Sequence, residues 1–181
     1  MDPSDFVQMY EFLVESRERF LDKFRGRGWE EVAVDRGATW NSMLGIFVHL
    51  LDVEESWLHY PKKPWPEPSP DLEKHVTRRE DGTWDVDPLS FRTLEAVETY
   101  HRNVAERTRN LLRDLTRKSL EQKFALEGSR KRKSSMKHIL FHSFVDELAH
   151  LGELDCLLWQ IDVDPDWLSW LDLHQTMESG S

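Results

Sequence analysis

Between Ser134 and Ile161 the chain reads SSMKHILFHSFVDELAHLGELDCLLWQI, without proline and with Gly152 as its only glycine. Apolar residues recur there at three- and four-residue spacing, which predicts one long amphipathic helix. Set into that pattern are His138, His142, Asp146 and His150, each four residues from the next. Residues four apart stand one turn up the same helical face, so neighbours in this series can reach one small cation. All four cannot. Each step climbs about 6 Å, which puts His142 and His150 roughly 12 Å apart, whereas a Zn–N bond spans about 2.0–2.1 Å.

Turning about 100° per residue from His150 at zero, Ile139, Leu140, Ser143, Leu154, Leu157, Leu158 and Ile161 fall between about −20° and +80°. That arc is the buried face, and His150 lies inside it. Asp146 flanks it near about −40°, His142 sits at its boundary near about −80°, and His138 faces water near about −120°. Asp146 with His150 is therefore the preferred pair. Glu147, near about +60° and three residues before His150, is the alternative carboxylate, and His142 the alternative imidazole. A histidine on an apolar helical face is more often a hydrogen-bonded rim residue than a ligand. A metal site needs a third ligand from elsewhere in the chain.

Three further stretches carry helical periodicity. In Ser4–Arg25, Phe6, Tyr10, Leu13, Phe20 and Phe24 recur at roughly helical spacing, and Gly26 and Gly28 end the helix. Trp29–Gly37 reads as a connector. Ala38–Tyr60 is the second helix, with Thr39 as N-cap and Pro61 as its stop. Its face carries Met43, Ile46, Leu50, Val53, Trp57 and Tyr60, with His49 at the edge. Asp52 is one turn on, where it could orient the imidazole or stand as a solvated carboxylate. The segment PKKPWPEPSP, residues 61–70, is a stiff extended connector, because proline fixes φ and lacks an amide donor.

Residues 71–87 read as a short helix or turn followed by a loop through Asp81-Gly82. Pro88–Lys118 is the third long helix, with proline in its first turn and Leu94, Val97, Val104, Leu111, Leu112 and Leu115 as its stripe. Its arginines Arg102, Arg107, Arg109 and Arg113 interleave with acids as a solvated face. Residues 124–135 read as a loose hairpin or loop, and their Arg130–Lys133 basic run as a charged surface turn. Beyond Asp164-Pro165, Trp167, Trp170 and Leu171 are expected to pack across the end of the bundle. The expected organisation is one all-α four-helix bundle domain over residues 1–174, with a disordered tail at 175–181.

Composition limits the functions open to such a bundle. With 181 residues, 39% hydrophobic and 32% charged, the chain supports a real core and well-solvated faces. No run of about 18 apolar residues suggests a membrane span, and the acidic start lacks the apolar core of a signal peptide. A net charge of −10 argues against general nucleic-acid binding. The single cysteine, Cys156, permits no internal disulfide, which favours a reducing cytoplasm.

In a four-helix bundle, polar sites are built from side chains on facing helices. His49 lies near the middle of the second helix, and Asp146 and His150 near the middle of the last, so level and facing select these three. The blocks that hold them, TWNSMLGIFVHLLDVEESWL and HILFHSFVDELAHLGELDCLLWQIDVDP, resemble those of the DinB/YfiT-like metalloenzymes. His49 and His150 match that family's metal histidines. Gly152 and Glu153 fall where its pattern has Gly followed by Gln or Glu. Asp146 stands where the first histidine of H-x-x-x-H is usual, and carboxylates also ligate Zn, Ni, Mn and Fe.

The resemblance runs from about Phe6 to Leu171. It implies a bundle with two histidines and a third ligand around a divalent transition metal, in a site open to solvent. Some relatives transfer low-molecular-weight thiols or hydrolyse small substrates. The expected function is therefore a metal-dependent enzyme acting on a small molecule by hydrolysis or thiol transfer, through a metal-bound water or thiolate. Glu147 or Asp52 would serve as general base. Homodimerisation is implied too. The competing expectation is a non-catalytic binding or dimerisation module that presents Trp167 and Trp170 to a partner.

Overall fold

Asp2 starts the first helix by a reciprocal cap. It accepts the Ser4 N–H at 3.1 Å while Asp5 accepts the Asp2 N–H at 2.7 Å, with Pro3 at the first helical position. This helix, α1 (Pro3–Arg27), ends at Gly28, whose φ of +83° suits glycine. The computed structural model describes residues 1–59, 68–80, 84–125, 133–166 and 168–169. Most of the proline-rich connector, the Asp81-Gly82 turn, Arg130–Arg132, Trp167 and the tail from Trp170 onward lie outside the described residues.

The connector expected at Trp29–Gly37 contains a short helix, α2 (Trp29–Ala33), anchored by fully buried Val32. The second long helix, α3 (Met43–His59), begins later than Ala38. Thr39 is not its cap, because Asn41 holds φ at +66°, outside the right-handed helical region, and Asn41 N–H donates to the Ala38 carbonyl. Ser42 caps instead. Its hydroxyl accepts the Gly45 N–H at 3.0 Å and its carbonyl the Ile46 N–H at 3.0 Å.

A short helix, α4 (Pro70–Glu73), is followed by two antiparallel paired strands, β1 (Val76–Arg78) and β2 (Trp84–Val86), where a loop was expected. The third long helix is also shorter than its periodicity implies. Pro88–Phe91 is a 3-10 turn, and Arg92, at φ +61°, breaks the path before Thr93 caps α5 (Leu94–Arg113). A separate turn, α6 (Arg117–Leu120), follows. The stretch before the last helix is a second hairpin, β3 (Lys123–Ala125) and β4 (Lys133–Ser135), with Lys123 opposite Ser135. Ser135 then caps α7 (Met136–Trp159) through the His138 N–H at 3.3 Å.

The four long helices form a bundle in which α1 packs on α5 and α7, and α3 packs on the same two. Phe6, Tyr10, Leu13, Phe20 and Phe24 of α1 are all buried, as their spacing predicts. Phe144 of α7 stacks on Tyr10 at 5.9 Å, and Phe47 of α3 meets Phe24 edge-on at 5.6 Å. Because α3 and α7 are direct neighbours, the face of α3 bearing His49 meets the face of α7 bearing Asp146 and His150. Among the described residues no helix is long and apolar enough to cross a membrane.

Candidate metal centre

His49, Asp146 and His150 gather between α3 and α7, with one ligand atom from each lying within 4.8 Å of the others. The two imidazoles meet edge to face, with ring centroids 5.1 Å apart and planes at 88°. All three side chains are half-buried, so the cluster is neither sealed in the core nor laid open. Burial pushes the His49 imidazole down to about 4, helped by the nearby His150 and opposed by Asp146 and Glu153. At neutral pH His49 is therefore unprotonated and keeps a lone pair for ligation.

A second tier of contacts orients these rings. His150 Nδ1 lies 3.3 Å from Glu153 Oε2, leaving Nε2 as the nitrogen free to ligate. The other oxygen of Glu153 accepts the Thr39 N–H at 2.9 Å. Burial works to raise the Glu153 carboxyl, but the Thr39 hydrogen bonds and His150 outweigh it and hold it low. Trp40 stacks on His49 with centroids 3.8 Å apart and planes 24° from parallel. Helical periodicity cannot reveal these links, because they depend on the irregular turn before α3.

The remaining candidates lie elsewhere. His138 is exposed at the start of α7. His142, also exposed, packs edge-on against Trp57 at 4.9 Å. Asp52 accepts the Trp84 Nε1–H at 3.1 Å, and burial pushes its carboxyl up to about 6. Glu147 is turned into the core at 4% exposure, with Oε1 3.1 Å from Arg17 Nε.

Arg17 is a buried charged residue, outside that cluster, that composition gave no reason to single out. It is fully buried, donates from Nη1 to Glu54 Oε2 at 2.7 Å, and lies between the carboxylates of Glu54 and Glu147. Tyr10 and Thr108 also donate to Glu54, Tyr10 at 2.7 Å. Burial opposes the guanidinium charge, but the two carboxylates outweigh it and keep Arg17 charged. Burial pushes the Glu147 carboxyl up, against the pull of Arg17 and with that of Glu54. A signal was present in the sequence. Positions 6, 10, 13, 17, 20 and 24 form one continuous helical stripe, and Arg17 is its one charged member.

Two imidazole nitrogens and a carboxylate oxygen make a donor set that fits a divalent transition ion such as Zn, Ni, Mn or Fe, with coordination positions left for a small molecule. The family model described as mycothiol-S-transferase matches residues 8–163, and the chain belongs to that family, a DinB/YfiT-like one. No curated protein matches the chain.

Proposed function

We propose that this member of the mycothiol-S-transferase family transfers a low-molecular-weight thiol of the mycothiol type to or from a small organic partner. The reaction is placed at a divalent metal held by His49, Asp146 and His150. The observation that carries this reading is the convergence of those three side chains from two helices. When bound, a divalent ion in such a site supplies Lewis acidity that makes a coordinated thiol or water more acidic. Family membership favours thiol transfer over hydrolysis.

The chain's own groups have separable parts in this scheme. Glu153 holds the His150 ring by its Nδ1 side, and Trp40 holds His49 by its face. Asp52, one turn beyond His49 on the same helix, lies outside the three-residue cluster with its carboxylate accepting the Trp84 indole N–H; raised to about 6 by burial, it is the candidate proton acceptor tested below. Glu147 is committed to Arg17 in the core and is not assigned that role.

The test is consumption of free mycothiol thiol in the presence of a small electrophile and metal-loaded protein. Wild type should consume it, His49→Ala should fall to the uncatalysed rate, and Asp52→Asn should lose about 100-fold in kcat. Thiol loss at the uncatalysed rate with wild type contradicts the proposal.

A second reading, as a binding or dimerisation module, is favoured by the outer face of α7. Phe141, Val145 and Leu148 are 46%, 45% and 41% exposed along one stripe. Leu148 also borders a recess of about 350 Å³ with Met9, Phe12 and Leu13 of α1. Sedimentation of wild type against Phe141→Ser/Leu148→Ser tests it. A wild-type dimer that the double variant breaks supports this reading, and a monomeric wild type removes dimerisation.

A further inference from the structure

We propose that the turn at residues 38–42 is a brace that holds both metal histidines in place, with Trp40 and Glu153 as positioning residues and Gly45 as the residue that lets the brace close. The inference rests on the metal-site reading above and extends it to residues that touch no metal.

The argument starts at Gly45, in the first turn of α3. A Cβ built there would lie 2.0 Å from the Trp40 carbonyl oxygen, 3.1 Å from its carbonyl carbon and 3.3 Å from Ser42 Oγ. Side-chain carbon cannot approach a backbone oxygen so closely, so only glycine lets the turn lie flat against the helix. Asn41 completes the reversal at φ +66°, a conformation asparagine adopts more readily than most residues. Two contacts follow from that close approach. The Trp40 indole comes to rest on His49, and the Thr39 N–H reaches Glu153, whose second oxygen faces His150 Nδ1.

One short turn thus touches the α3 histidine directly and the α7 histidine through a single carboxylate. It crosses the two helices on which the ligands are divided, so the spacing between His49 and His150 depends on it. Trp40 is 44% exposed, which distinguishes it from the core-packing aromatics. Its ring covers the imidazole more than it fills the bundle.

The experiment measures zinc affinity by chelator competition, and the absorption spectrum of bound cobalt(II), for wild type, Trp40→Ala, Trp40→Phe, Glu153→Ala and Gly45→Ala. Unfolding of each metal-free protein is followed alongside. Trp40→Ala, Glu153→Ala and Gly45→Ala should each weaken zinc binding about 10- to 100-fold, the range for groups that orient ligands without binding metal. Their cobalt bands should shift, Trp40→Phe should restore most of the affinity, and the metal-free Trp40→Ala protein should unfold as wild type does. Should Gly45→Ala fail to fold, Trp40→Ala and Glu153→Ala, at half-exposed or exposed side chains, still decide the matter. Wild-type zinc affinity in both, or affinity losses that only follow losses of metal-free stability, overturn the brace. No zinc binding by wild type overturns the metal-site reading itself, and the brace with it.

Discussion

His101 on α5 is 2% exposed, and its Nε2 has no hydrogen-bond partner among the described residues. Burial pushes its imidazole down to about 3, and the positive charges of Arg17, Arg109 and Arg102 add to the effect. The folded state therefore keeps His101 neutral at pH values where the unfolded chain, near its ordinary value of about 6.5, binds a proton. Stability is fully present above about pH 6.5 and falls as pH drops towards 3, by up to about 1.4 kcal/mol per pH unit from this group. Denaturant titrations at steps from pH 7 to pH 4 should show wild type losing stability faster than His101→Phe. Parallel losses in the two proteins would contradict this. At the same scale, the metal candidates were legible wherever geometry is periodic: helical arithmetic put His150 in the buried arc with Asp146 on its flank, and both gather with His49. Glu147 was ambiguous because its angle also lies in the buried arc, and the structure shows its carboxylate facing Arg17.

At the scale of elements, the long helices follow their apolar stripes, while their ends follow local backbone events that no stripe encodes. Asn41 and Arg92, both at positive φ, shorten α3 and α5 from the N-terminal side. The two hairpins have strands of three residues, too short for alternation to stand out. What ties the elements together is Arg17, which carries α1 to Glu54 on α3 and to Glu147 on α7, the two helices that bear the metal candidates. Removing the guanidinium leaves buried carboxylates without their partner. Arg17→Met should therefore cost about 3–5 kcal/mol, much of it recovered in Arg17→Met/Glu54→Gln/Glu147→Leu. Urea unfolding of the two variants checks this. If the single variant is as stable as wild type, Arg17 is not the bracket described.

On the scale of the whole molecule, the bundle turns sequence distance into contact: α3 and α7 are neighbours although residues 60–135 separate them in the chain. The bundle class could be read from four apolar stripes. The brace proposed across the candidate metal centre could not, since it depends on the path of a turn and on the absence of one Cβ. The central claim is that His49, Asp146 and His150 share one ion, and calorimetric titration of zinc into metal-free wild type and His49→Ala tests it most directly. The account predicts one ion bound per chain in wild type, with zinc at about 100 times its Kd adding about 2.7 kcal/mol of stability, and both effects lost in His49→Ala. A wild-type protein that gives no binding heat and unfolds identically with and without zinc would contradict it.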